Sequence, residues 1–174
     1  MKTQIKLLLS ALLLSISAAA SALQVGDQAP DFLLEASDGK SYSLSQFKDK
    51  QTVVIAWYPM AYTSGCTIEC KSLTENGHLL KRLEVAYFMA SVDTLEDNKG
   101  FAKETGADFP LLSDPSKKTA KAYDVLAIYG KPKRHTFYIG KDGKIIFIDR
   151  NIKPATSAED MAAKLEELGV PVKS

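Results

Sequence analysis

The segment that most limits what this chain can fold into runs from Thr52 to Leu83. Thr52-Val53-Val54-Ile55-Ala56-Trp57 is an unbroken apolar run and predicts a buried strand. The stretch Tyr58-Pro59-Met60-Ala61-Tyr62-Thr63-Ser64-Gly65-Cys66 then turns the chain. Ile68 to Leu83 follows as an expected helix, with Leu73, Leu80 and Leu83 on one face. Cys66 therefore belongs to a loop or first helical turn at the end of a core strand. Unpaired N–H groups and partial positive charge at a helix start favour a thiolate over a thiol. No other position in the chain offers a nucleophile so deliberately placed.

The remaining segments extend this pattern into an α/β domain. Asp31 to Leu34 and Ser41 to Leu44 flank Asp38-Gly39, a strong hairpin signal, and Ser45 to Phe47 predicts a short helical turn. Val85 to Val92 is apolar on both faces, as a central strand covered by helices must be. Asp93 or Thr94 can cap a helix ending near Gly106. Leu111-Leu112 is a short buried segment, and Asp114-Pro115 is expected to open a helix through Tyr123. His135 to Ile139 and Lys144 to Ile148 are strands joined through Lys141-Asp142-Gly143. A last helix opens at Thr156 or Ser157, with Glu159 completing a capping box. Met161, Leu165 and Leu168 form its stripe, and Gly169 and Pro171 close it. The order is hairpin, β-α-β-α, antiparallel pair and final helix. It predicts a thioredoxin-like fold with an N-terminal β-hairpin extension and a central mixed sheet flanked by helices.

Residues 1–22 are set apart as a secretory signal peptide: Lys2 and Lys6, an apolar stretch from Leu7 to Ala20, and the small-x-small pattern Ala20-Ser21-Ala22. The apolar stretch, roughly 14 residues, is short of the ~20 that a spanning helix needs. The expected product is one domain, residues 23–174, exported to the periplasm, with no stable membrane insertion after cleavage. Losing Lys2 and Lys6 with no acid turns the formal net charge of +1 slightly negative, which supplies no pull toward nucleic acid. A domain this long buries a full core without staples. A disulfide between the two cysteines, Cys66 and Cys70, would enclose only a few residues and constrain little. Redox or metal chemistry is therefore favoured over a structural bridge.

Pro59-x-x-x-Thr63-x-x-Cys66 resembles the active-site signature of peroxiredoxins. Thr67 and Glu69 fit the continuation seen in the Q-type (bacterioferritin-comigratory) branch. Arg134, in Lys133-Arg134-His135-Thr136-Phe137, resembles the second signature of that family, and Val25 to Phe32 resembles its opening. The resemblance spans residues 24–169. It implies a thiol-dependent peroxidase acting on hydrogen peroxide and organic hydroperoxides, with Cys66 as the peroxidatic nucleophile and a sulfenic acid as intermediate. Arg134, the Thr63 hydroxyl and the N–H groups of Gly65 and Cys66 would stabilise charge on the leaving oxygen. Pro59 would shape the loop, and Glu69 would support the helix start or orient Arg134. No cofactor or metal is implied, and the resemblance suggests a monomer or weak dimer. The reductant would be an exported thioredoxin-like protein or another dithiol.

Cys70 departs from the family pattern, in which the resolving cysteine often follows five residues after the peroxidatic one. At i+4 on a regular helix the Cβ atoms stand about 5–6 Å apart, whereas a disulfide wants about 3.5–4.5 Å. Cys70 is expected to resolve Cys66 through an intramolecular disulfide only if the helix start unwinds.

Two other readings compete. Cys66-x-x-x-Cys70 with His135 also resembles copper-binding assembly factors of the same fold. Thr67 stands where those carry proline, and strand alternation puts Arg134 and His135 on opposite faces, so one alone can look at Cys66. A disulfide reductase would normally carry Cys-x-x-Cys. His78 is expected on the polar side of its helix, Trp57 in the core and Tyr58 in the pocket wall.

Overall fold

The computed structural model describes residues 22–173. The expected leader lies outside the described residues except for its last position, Ala22. Among the described residues no helix is long and apolar enough to cross a membrane.

Seven strands form one mixed sheet: β1 (Leu33–Ala36), β2 (Ser41–Ser43), β3 (Thr52–Trp57), β4 (Val85–Ser91), β5 (Leu111–Ser113), β6 (His135–Ile139) and β7 (Ile145–Asp149). Their order is β2-β1-β5-β4-β3-β6-β7. The β3/β4 and β4/β5 pairs are parallel and the others antiparallel. The expected hairpin is thus β1/β2, and it joins the main sheet through β5. The two central strands are buried along almost their whole length, which explains why neither alternates with polar residues.

Alternation along β3 divides the interior in two. Val54 and Ala56 point to a core shared with Met89, Leu111 and Tyr138 and covered by helices α1 (Ser64–Glu75), α3 (Leu95–Thr105) and α5 (Ser157–Glu167). Val53, Ile55 and Trp57 point the other way, onto Phe88, Phe137 and Ile139, beneath Phe32, Leu44, Ala120 and Tyr123. Both cysteines belong to the first core. Trp57 belongs to the second, as expected of a core residue, but on the far side of the sheet from them.

Three helix expectations need correction. The expected helix from Ile68 to Leu83 starts four residues earlier, at Ser64, and breaks at Asn76-Gly77 before a short α2 (His78–Lys81). The backbone at the break leaves no room for a side chain: a Cβ at Gly77 would lie 2.5 Å from the Leu73 carbonyl oxygen. The chain turns there so closely over α1 that only glycine fits. The helix expected from Asp114-Pro115 begins instead at Lys118, as α4 (Lys118–Ala122). Asp114 accepts from the Ala120 N–H and from Ser116 Oγ, so its carboxylate organises the approach to the helix rather than its first turn. Thr156 and Glu159 form no capping box. Thr156 bonds to Asp160, and Glu159 accepts from Asn76 at 2.8 Å, tying α5 to the break after α1. Thr94 does cap α3, accepting from the Asp97 N–H, and His78 is exposed as expected.

Gly77→Ala should cost roughly 1–3 kcal/mol, the usual cost of forcing a methyl into filled space. A lower urea midpoint with an unchanged slope would bear this out; an unshifted midpoint would contradict the steric account.

Candidate active site

The loop between β3 and α1 is fixed from three sides. Asp93, buried after the end of β4, accepts from the Ala61 N–H at 2.8 Å and pairs with Lys131 at 3.1 Å. Tyr62 sits in the left-handed region with φ 63°. Its hydroxyl donates to the Asp97 carbonyl at 3.1 Å, and its ring meets Phe101 edge-on at 5.4 Å. Such a backbone conformation persists only where surrounding contacts hold it. Tyr58, expected in the pocket wall, lies wholly in the core, where its hydroxyl bonds to the buried Asn98. Burial raises its pKa well above the usual phenol value, so it stays protonated.

Cys66 lies in the first turn of α1, whose opening N–H groups, including those of Gly65 and Cys66, have no acceptor within the helix. Arg134 immediately precedes β6, the neighbour of β3. Its Nη2 donates to the Cys66 sulfur at 3.1 Å, while Nη1 bonds to Glu69, one turn further along α1. Gly65 makes room for that approach: a Cβ there would already lie 3.3 Å from Nη2. Glu69 is fully buried, and its second oxygen lies 3.5 Å from Ser157 Oγ at the start of α5. Burial alone would lower the Arg134 pKa, yet the Glu69 carboxylate and the Cys66 sulfur outweigh it and raise the value. Burial pushes the Glu69 carboxyl up, with Arg134 pulling against it. The pair therefore holds a firmly protonated guanidinium against the sulfur.

Cys66 lies in the first helical turn as the sequence predicts, and its side chain there has 0% exposure. Pro59, Thr63 and Gly65 are partly exposed, so the covering is the loop itself. Thr63 is engaged locally. Its hydroxyl proton goes to the Met60 carbonyl at 2.8 Å, and it makes no side-chain cap on α1. With that proton engaged, the hydroxyl presents lone pairs, which accept rather than donate.

Cys70 is also fully buried, and both thiols are free. Burial pushes the Cys70 thiol from the usual 9.0 up to about 11. One sulfur thus faces a cation, and the other is held as a neutral thiol one turn away.

His135 lies on the opposite sheet face. It pairs in register with Trp57 and lines a cavity of about 270 Å³ with Tyr123, Phe137 and Arg150. The set Cys66, Cys70 and His135 is therefore not assembled, which removes the copper reading. Among the described residues no cluster of three metal-ligating side chains occurs. Sequence reading missed Asp93 as a loop anchor, treating it only as a possible cap. Its signal was topological: parallel β3 and β4 end at the same sheet edge, so the segments that follow them meet there. Ser157 and Thr105 gave no comparable signal, because each acts across a helix–helix contact that spacing does not reveal.

Residues 25–148 match the AhpC/TSA family. The chain is 33% identical over 146 residues to chloroplastic peroxiredoxin Q of Populus jackii, covering 82% of this chain and 68% of that protein. It is 29% identical over 153 residues to peroxiredoxin Bcp of Bacillus subtilis, covering 84% and 97% respectively. Among solved structures, a cysteine-to-serine mutant of Xylella fastidiosa PrxQ superposes with a TM-score of 0.78 at 25% identity. That match covers 86% of this chain and 99% of the other.

The raised Cys70 pKa has a sign that can be checked. Between about pH 9 and 11 the folded chain keeps a proton that the unfolded chain releases, so stability falls as pH rises through that window. Below pH 9 it contributes no slope. Wild type should lose roughly 1–3 kcal/mol more than Cys70→Ala between pH 8.5 and 11. Urea unfolding of both proteins measures it, and parallel stability curves would refute the assignment.

Proposed function

This chain belongs to the AhpC/TSA family, as a peroxiredoxin of the Bcp/PrxQ branch, and from that premise we propose that Cys66 is its peroxide-attacking sulfur and Cys70 its resolving thiol. The observation that carries this is the guanidinium of Arg134 bridging the Cys66 sulfur and the buried Glu69 carboxylate.

The chemistry follows from that arrangement. The Cys66 thiolate attacks one peroxide oxygen, the O–O bond breaks, and the electron pair leaves on the second oxygen. That oxygen takes a proton and departs as water or alcohol, leaving Cys66 as a sulfenic acid. Charge on the leaving oxygen is met by Arg134 and by the first-turn N–H groups of Gly65 and Cys66. Thr63, its own proton committed to Met60, accepts from the hydroperoxide O–H and sets the angle of approach. Pro59 carries no N–H that could compete for the substrate. Hydrogen peroxide and small organic hydroperoxides both satisfy these contacts.

Resolution follows as Cys70 gives up its thiol proton and attacks the Cys66 sulfenic sulfur; the S–O bond breaks, and the departing hydroxide takes up that proton as water, leaving an intramolecular disulfide. Both sulfurs are buried on α1, so the first turn of that helix opens before the bond closes. A dithiol then supplies two electrons to restore both thiols. Lys2, Lys6 and the Ala20-Ser21-Ala22 pattern support export to the periplasm. There the electron donor is a thioredoxin-like protein of that compartment, and the enzyme works as a monomer or loose dimer.

Three substitutions separate the roles. Cys66→Ser should abolish turnover, and Arg134→Ala should slow the reaction with peroxide ~100-fold, the scale of losing one transition-state donor. Cys70→Ser should leave the first oxidation intact and impair recycling; mass spectrometry of wild type after one equivalent of peroxide should find the Cys66–Cys70 disulfide. A stable sulfenic acid with Cys70 free would defeat the resolving role.

Gly65→Ala probes geometry alone. Displacing the guanidinium by a few tenths of an ångström should slow the peroxide reaction about 3–10-fold, with thermal stability nearly unchanged because alanine suits a helix start. An unaltered rate would mean that the Arg134 contact is not limiting.

A further inference from the structure

Cys70 does not wait beside its target unattended. Its sulfur lies 3.1 Å from Oγ1 of Thr105, the last residue of α3. The single proton of that hydroxyl already has acceptors in its own helix, the Phe101 carbonyl at 2.8 Å and the Ala102 carbonyl at 3.3 Å. This is the back-bonding of a threonine to the preceding turn. With its proton committed, Oγ1 can only accept at Cys70, and the S–H donates to it. Both residues are buried, so bulk water does not compete for either partner. Within α1, Thr74 Oγ1 makes the same kind of back-bond, donating to the Cys70 carbonyl at 2.8 Å.

We propose that Thr105 is a positioning residue for the resolving step: it holds the Cys70 S–H against α3 while Cys66 reacts, and Cys70 must leave it before attacking. This rests on the resolving role given to Cys70 above. The sulfenic acid on Cys66 has two fates. It condenses with the Cys70 thiol to give the disulfide and water, or a second hydroperoxide oxidises it to sulfinic acid, releasing water or alcohol. A hold on Cys70 slows the first path and leaves the second untouched. Thr105 thereby sets the peroxide concentration at which the enzyme is lost to sulfinic acid.

Thr105→Val removes the acceptor while nearly keeping the shape, and Thr105→Ser keeps the acceptor. With reduced protein and stoichiometric peroxide, Thr105→Val should form the disulfide about 2–5-fold faster, the worth of one weak hydrogen bond. By the same factor it should need more peroxide for half-conversion to sulfinic acid. Thr105→Ser should follow wild type, and Cys66 should be oxidised at the wild-type rate in both. A second measurement does not require the disulfide: in a Cys66→Ser background, iodoacetamide should alkylate Cys70 faster with Thr105→Val and at the control rate with Thr105→Ser. Unchanged alkylation and resolution in Thr105→Val would overturn the clamp. Equal acceleration by serine, or slowed oxidation of Cys66, would show general loosening and overturn it as well. Faster alkylation with no Cys66–Cys70 disulfide in any of the proteins would overturn the resolving role and, with it, the part of Thr105 in catalysis.

Discussion

The site is organised around one guanidinium placed between two negative or polarisable partners. Arg134 arrives from the strand side, Cys66 and Glu69 from the helix side; the sulfur and the carboxylate are fully buried, while the guanidinium stays partly exposed. A buried carboxylate is costly unless paired, and a half-buried arginine gains from the same partner. Each therefore depends on the other, and the sulfur receives a cation whose position is fixed by that mutual need. The fork shape of arginine matters here, since lysine could not donate in two fixed directions at once. Ser157 extends the arrangement to α5, so the last helix of the chain closes over the same carboxylate.

The rest of the fold serves to bring these elements within reach. Strands β3 and β6 are antiparallel neighbours, so the residue just before β6 lies beside the end of β3, where the cysteine loop begins. Parallel pairing of β3 with β4 brings the segment after β4 to the same edge, and Asp93 uses that position to hold the loop by its Ala61 N–H. Tyr62 accepts an unfavourable backbone conformation within that loop, and contacts with Asp97 and Phe101 keep it there. The interactions that build the site are therefore mostly long-range in sequence.

Much was legible nonetheless. The strands appeared where apolar runs predicted them, because a strand buried on both faces cannot alternate. The signature around Pro59, Thr63 and Cys66 led to the family to which the chain belongs, and alternation alone separated Arg134 from His135. Helix limits fared worse at particular residues. Helix α1 ends just before Gly77, whose backbone passes too close to the Leu73 carbonyl for any side chain, and leucine spacing does not register that approach. Asp114 preferred to accept from Ala120 rather than begin a helix at Pro115. Glu159 reached Asn76 across a helix contact instead of completing a local cap.

Local pattern sufficed for the alternation of strands and helices, the cysteine at the head of a helix, and the arginine of the correct parity to face it. These follow from local periodicity and residue chemistry, which are properties of neighbours in the chain. Tertiary structure alone decided that Cys66 is covered, that Thr63 has given its proton away, and that Cys70 rests on Thr105. Burial and hydrogen-bond partners depend on which distant surfaces meet, and no pattern within a single segment encodes that meeting.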